Sequence, residues 1–268
     1  MLIVGKTQTQ LNNRKYYTRD NGMVYWRGDY FETPTQGDCT PQAYLVEQPP
    51  HIVNPTHFHV QNQFQLFTEG EGSLGRQPVE PYMIHYAGAY TGYGPITSGN
   101  NCLNYITFRA LKDPGAQFFP EKKANFKAGP KHHFEAYLPL LSAQALAQLQ
   151  NNDCHWVKPA TPEGLAIALY RLPYDHSMQV QRPASSIGFF AVVLQGQIEH
   201  RGQQLGKHEN LFVSSEVSDF TLSAVNGPAE ILTLHFPPTD PVYLAAYRLK
   251  ARALMSSKPG GKGCKSRR

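Results

Sequence analysis

Apolar residues fall in short runs along the chain rather than in long helical stripes. One group of runs comprises Ala43–Val46, Phe64–Phe67, Tyr82–Tyr86 and Leu103–Phe108. A second comprises Leu165–Tyr170, Phe189–Leu194, Glu209–Val213, Phe220–Ala224 and Ile231–Phe236. The runs are rich in aromatic and β-branched residues and are separated by Gly, Pro, Asn or Asp. Short strands punctuated by turn residues predict an all-β sandwich or barrel. Two segments break the pattern. Leu138–Gln150 (LPLLSAQALAQLQ) is rich in Ala, Leu and Gln and predicts a helix of about three turns. Asp240-Pro241, followed by VYLAAYRLKARALM, predicts a C-terminal helix with Asp as N-cap, Pro at the first helical position and basic residues toward the end.

The two groups repeat one another. Phe64–Gly70 (FQLFTEG) and Phe190–Gly196 (FAVVLQG) are each an apolar strand closed by glycine. Each is followed within ten residues by a Leu-Gly pair, Leu74-Gly75 and Leu205-Gly206, and each unit ends on a further strand (NYITFRAL; EILTLHFPP). A duplication of this size makes two β units in one chain. Between Asp113 and Pro139 the chain is rich in Pro, Lys and Gly. The division expected is a barrel over residues 1–111, a linker with one helix over 112–160, a second barrel plus the C-terminal helix over 161–256, and a disordered tail over 257–268.

Composition removes several alternatives. Of 268 residues, 22 are Gly and 21 Pro, too many for a helix bundle and too aperiodic for a fibre. No apolar run reaches the length of a membrane-spanning helix. The N-terminus has no signal-like apolar stretch with a small-residue cleavage site, so the cytoplasm is the expected location. The net charge of +5 belongs to the end of the chain. SKPGGKGCKSRR holds five basic residues and no acid, and without it 20 basic residues face 20 acidic ones. A neutral body argues against nucleic acid and membrane partners, so the aromatic run from Tyr16 to Phe31 reads as strand packing or a dimer interface. Cys39, Cys102, Cys154 and Cys264 lie far apart without a CxxC, which suits reduced thiols.

The stretch that carries chemistry is His57-Phe58-His59, then Gln63, then Gly70. A His-x-His pair on a strand sets both imidazoles on one face, roughly 6–7 Å apart, where they can grip one metal ion. Gln63 can add a carbonyl oxygen, and Gly70 closes the hairpin. The G-x-G-x-x-G of Gly70–Gly75 precedes Pro78 and Pro81 rather than a helix, so it is a turn and not a dinucleotide site. His132-His133, beside Lys131, is expected to be exposed in the linker.

This spacing resembles the first motif of the cupin superfamily, His-x-His, three or four residues, Glu, six residues, Gly, with Gln63 in place of the Glu. The duplication resembles a bicupin, with tandem jelly-roll (double-stranded β-helix) barrels, over most of residues 40–240. The resemblance implies a divalent metal (Fe, Mn, Ni or Zn) held by His57, His59 and Gln63, a small-molecule substrate and a homodimer. The family's second motif is not intact. Its third histidine falls nearest Tyr93, with Thr91 and His85 as the alternatives. Tyr93, lining the pocket, would be a proton donor or base. Counting back from Gly196 gives Pro183, Ser185 and Phe189 at the ligand positions of the second unit, which is therefore expected to hold no metal. The resemblance implies a metal-dependent enzyme (isomerase, lyase, hydrolase or dioxygenase). The other reading is a non-catalytic binding or structural bicupin. A neutral glutamine leaves a metal more electrophilic, which favours polarising a carbonyl over oxygen chemistry.

Overall fold

A computed structural model describes residues 1–33 and 40–243. Among these, two large antiparallel sheets dominate. Their strands are β1 (Leu2–Gly5), β2 (Lys15–Thr18), β3 (Val24–Asp29), β4 (Gln42–Gln48), β5 (Gln63–Glu69), β6 (Met83–Ala87), β7 (Leu103–Arg109), β8 (His133–Tyr137), β9 (Asp153–Lys158), β10 (Ala166–Leu172), β11 (Gly188–Gln195), β12 (Asn210–Ser214) and β13 (Ala229–Phe236). One sheet runs β8-β6-β5-β7-β4-β3-β2 and the other β1-β12-β11-β13-β10-β9. Each is faced by a smaller four-stranded sheet, one including Gly72–Leu74 and Ile96–Ser98, the other Ile198–His200 and Thr221–Ala224. The chain is all-β, with antiparallel jelly-roll layers.

Alternation of side chains explains how these strands stack. Even-numbered residues of β5, β6 and β7 (Phe64, Leu66, Ile84, Tyr86, Ile106, Phe108) meet Phe190, Val192, Phe212, Leu232, Leu234 and Phe236 of the other large sheet in one shared core. Odd-numbered residues of the same strands point into the first barrel, where Phe67, Met83, Leu103 and Tyr105 meet Leu74 and Ile96. The second barrel fills likewise, with Tyr170, Phe189, Ala191, Val193 and Ile231 against Ile198, Leu205 and Leu222. Strands buried on both faces read as unbroken apolar runs, which is why FFAVVL and AIALY show no polar alternation.

The duplication has a structural counterpart in its two glycines. Gly70 (φ +81°) would place a Cβ 1.6 Å from the Cys102 carbonyl oxygen, and Gly196 (φ +73°) one 2.0 Å from that of Pro228. Each closes its strand against the start of the unit's last strand, so no side chain fits at either turn.

Several boundaries differ from expectation. The chain starts in the second sheet, where β1 pairs with β12, so residues 1–111 do not make the first barrel alone. The segment 112–160 is not a passive linker: β8 pairs with β6 of the first sheet and β9 with β10 of the second. The short alternation His-Phe-Glu-Ala-Tyr at 133–137 sets Phe134 and Ala136 against the shared core and covers an edge that would otherwise lie open. The helix expected over 138–150 shrinks to Ala143–Ala147, with Ser142 capping the Ala145 N–H. Leu138 and Leu140 instead pack on the shared core from a tight turn in which the Leu140 N–H bonds the Leu138 carbonyl at 2.9 Å. A helix at Thr7–Asn12 was not legible in the pattern. Asp240 accepts from the Val242 N–H at 2.9 Å, as an N-cap does. The expected helix beyond Tyr243, the tail from 257, Cys39 and Cys264 lie outside the described residues. Cys102 and Cys154 are free thiols. No helix among the described residues is long and apolar enough to cross a membrane.

Phe190 stacks among Phe31 and Phe108 from one unit and Phe212 and Phe236 from the other. Truncating it to alanine should cost about 3–5 kcal/mol, since the cavity cannot collapse between two sheets. Urea denaturation should show one cooperative transition moving to lower concentration. Two separated transitions would mean that the sheets do not share a core.

Candidate functional site

The odd-numbered face of the large sheet carries a polar island inside the first barrel. Gln63 and Gln65 on β5, His85 on β6, Thr107 and Arg109 on β7 and Tyr44 on β4 all point inward. His57 and His59 approach from the segment before β5. The His57 N–H donates to the Tyr93 carbonyl at 3.1 Å and the Tyr93 N–H to that of His57 at 3.0 Å, so the two residues stand opposite one another. The structure therefore brings together all four residues singled out in the sequence. Thr91 turns away and accepts from the His132 N–H at 3.2 Å. His85 lies beside the group, its ring 4.8 Å from that of Tyr93.

At the centre of the four stands Arg109, only 2% exposed. Its Nε and Nη2 both donate to Gln63 Oε1, at 3.1 and 2.6 Å, and Nη1 donates to the Tyr44 hydroxyl at 2.8 Å. The direction of each further bond follows from its fixed partner. The Pro55 carbonyl, 2.6 Å from His57 Nδ1, can only accept, so the proton is on Nδ1. His57 Nε2 is then a lone pair and accepts from the Tyr93 hydroxyl at 2.9 Å. That hydroxyl accepts in turn from Gln63 Nε2. The Asp113 carboxylate, 2.6 Å from His59 Nδ1, likewise holds the proton there, and Arg109 Nη2 reaches His59 Nε2 at 3.2 Å. A one-way chain runs from Arg109 through Gln63 and Tyr93 to His57.

This chain bears directly on the expected metal. The three atoms that would ligate one are His57 Nε2, His59 Nε2 and Gln63 Oε1. Each is already met, His57 Nε2 by a phenol O–H and the other two by a guanidinium. A dication would have to displace a buried cation that already satisfies two of the three. The donor set as folded does not fit a metal at this position.

Electrostatics agree with neutral imidazoles beside a fixed cation. Burial, with repulsion from His59 and Arg109, pushes His57 down to about 3, and the bond to Pro55 only partly offsets this. His59 is lowered by burial and by Arg109, against the pull of Asp113. Burial holds the Tyr93 phenol well above its ordinary value, so it stays a donor. Burial alone would raise Asp113, but His59, Arg109 and its hydrogen bonds outweigh that and hold it at about 2. The island borders a cavity of about 240 Å³, lined by Arg19, Arg27 and Arg109 against one carboxylate, Asp113.

Arg109, Asp113 and Tyr44 were not singled out in the sequence. For Arg109 the signal was present: it shares inward parity with Leu103 and Tyr105 and is the one charged residue of its strand. Asp113 carried none, because its role depends on the chain folding back over His59. In the second unit Phe189 packs in the barrel core.

No protein-family model matches the chain, and no curated protein matches it. Solved structures do. A candidate dioxygenase from Nostoc punctiforme matches over 88% of this chain and 83% of its own, with a TM-score of 0.63 at 12% identity. Salicylate 1,2-dioxygenase from Pseudoaminobacter salicylatoxidans, solved as adducts with gentisate, matches over 92% and 83%, with a TM-score of 0.53 at 12% identity. The bacterial pirin YhhW from Escherichia coli, in complex with nickel(II), matches over 89% and 100%, with a TM-score of 0.52 at 13% identity. These are cupin-fold proteins, and this chain shares their fold.

Two expectations follow from the hydrogen-bond chain. Tyr93→Phe leaves His57 Nε2 and Gln63 Nε2 without their shared partner, so stability should fall by about 1–3 kcal/mol for each group, read by urea denaturation at pH 7. His57 also sets a pH dependence. Between its ordinary value of 6.5 and about 3 the unfolded chain takes up a proton that the folded chain refuses. Stability contributed by His57 is therefore present above 6.5 and lost as pH falls, by up to about 1.4 kcal/mol per pH unit. In His57→Gln the acid limb of the stability curve should be shallower by up to one proton. An unchanged slope would mean that His57 is protonated in the folded protein.

Proposed function

We propose that the first barrel is a small-molecule site for an organic acid, built on a tandem cupin-type chain and working without a metal at the His-x-His position. The observation that carries this reading is Arg109, buried inside a barrel and in no ion pair among the described residues. The ionised Asp113 offsets this charge only across His59, so no carboxylate meets the guanidinium directly, and a ligand carboxylate would. Four of the five guanidinium N–H groups are engaged by Gln63, Tyr44 and His59, which leaves one on Nη1. The Tyr44 hydroxyl accepts from that same nitrogen and keeps its own hydrogen to give. Two adjacent donors at a cationic wall suit one carboxylate. Arg27, over the Tyr44 ring at 3.7 Å and paired with Asp29, packs against the phenol.

The Tyr93–His57 pair gives the site a means of moving a proton. Tyr93 donates to a neutral His57 whose other nitrogen is anchored on a backbone carbonyl. A bound acid losing a proton beside Tyr93 would pass it to the phenol oxygen as the phenol proton moves to His57 Nε2, and the imidazolium that burial disfavours would then stand against the substrate anion just formed. The chemistry this supports is redox-neutral acid–base work on a small carboxylate, in which the metal polarisation expected from a neutral Gln63 has no part.

A panel of small mono- and dicarboxylates, screened by thermal shift on the full chain, tests the proposal. At least one should raise the melting temperature. Tyr44→Phe should weaken that acid by about tenfold or more, the worth of one hydrogen bond to a charged group. Binding by no acid, or equal binding by Tyr44→Phe, would overturn it.

A further inference from the structure

We propose a second polar site in the first unit: His85, His133 and Glu135 form a binding site for a divalent transition-metal ion, separate from the His57–His59 group. The three side chains come from neighbouring strands. His85 on β6 stands directly opposite Glu135 on β8, and His133, opposite Ala87, is two residues along β8 on the same face. Cross-strand partners and i, i+2 neighbours on one face are the closest side chains a sheet can offer. The methyl group of Ala87 leaves room for the His133 imidazole to turn toward His85, and the two rings lie 4.9 Å apart. Ligand atoms of all three residues lie within 4.8 Å of one another.

A second observation concerns the state of His85. Its Nδ1 lies 2.8 Å from Gln65 Oε1, which accepts, so the proton is on Nδ1. Nε2 is then a bare lone pair. It is fully buried and has no hydrogen-bond partner. His200, His208 and His235 in the second unit also carry unmatched ring nitrogens, so what sets His85 apart is that two further ligand groups, His133 and Glu135, lie beside it. An imidazole whose far nitrogen donates to an oxygen acceptor, with the near lone pair free, is what a metal-binding histidine needs. Here the contrast with the first group is sharp. His57 Nε2 and His59 Nε2 are both met by protein donors, whereas His85 Nε2 is met by none.

The surroundings suit a cation. Glu135 supplies the negative charge that Gln63 lacks, and its only ion-pair partner among the described residues is His133 at 3.0 Å. The hydrogen bonds of Arg109 run to Tyr44, His59 and Gln63, not to this triad. Two imidazoles and a carboxylate, with remaining positions open, suit zinc, nickel or ferrous iron over magnesium or calcium. His133 is partly exposed, so an ion can enter from solvent.

The test is calorimetric titration of zinc(II) into the full chain after chelator treatment, with elemental analysis of the product. The parent should bind one ion per chain at this site. Glu135→Gln and His133→Ala should lose it, while His132→Ala and His57→Ala should retain it. Gln65→Leu should weaken binding by about 10–100-fold, because the His85 tautomer is no longer fixed. Should His133→Ala fail to fold, Glu135→Gln, isosteric and on a partly buried side chain, decides alone. No zinc bound by the parent, or unchanged binding by Glu135→Gln, would overturn the site. Loss of zinc in His57→Ala with retention in Glu135→Gln would place the ion at the His-x-His face and overturn both this site and the metal-free reading of that face. Carboxylate binding is read separately by thermal shift, so failure of one proposal leaves the other standing.

Discussion

A guanidinium inside a β-barrel needs partners for its N–H groups, and the first barrel is organised by that demand, meeting four of the five. Arg109 ends a strand whose other inward residues are apolar or hydroxylic, and it cannot shed its proton. Gln63 is the acceptor that meets it twice. That fixes which end of the Gln63 amide faces Tyr93, and hence the direction of the Tyr93 hydroxyl, in agreement with the His57 tautomer that the Pro55 carbonyl holds. One buried cation thus sets the direction of hydrogen bonds several ångströms away. A carboxylate at 63 would have neutralised Arg109 and removed the donor that holds Tyr93, so the glutamine belongs to the same design as the arginine.

The scaffold supports this because it is rigid. The large sheet that carries Gln63, His85 and Arg109 is buried on both faces, one against its own small sheet and one against the second unit. A strand held on both sides cannot shift register without turning a whole row of phenylalanines toward polar groups. The second barrel contributes Phe190, Phe212 and Phe236 to that support, and the strand β1, at the start of the chain, completes its sheet.

Within one barrel, two pairs of histidines have opposite states. His57 and His59 carry lone pairs already occupied, and the cation beside them disfavours another. His85 carries a free one, and with His133 it faces a carboxylate. Alternation places both pairs within the same unit, but the chemistry of each is set by its neighbours rather than by the histidine spacing.

The alternation and punctuation of the chain determined a good deal by themselves. All-β character, the repetition of two units and the closing glycines Gly70 and Gly196 follow from local rules, because strand period and positive φ need no distant partner. The gathering of His57, His59 and Gln63 followed from spacing, and Tyr93 from counting along the resembled motif. What only tertiary structure decided is what those atoms face. Arg109 is 46 residues from Gln63, and Asp113 is 54 from His59. The pairing of β1 with β12 and of β8 with β6 joins segments that no local pattern connects. His133 is exposed as expected, but it lies on a strand rather than in a linker, because that strand has a partner only once β6 is in place. Local propensity sets which face a side chain takes, while long-range pairing sets what stands on the other side of it, and the charge and tautomer of a buried site depend on the second.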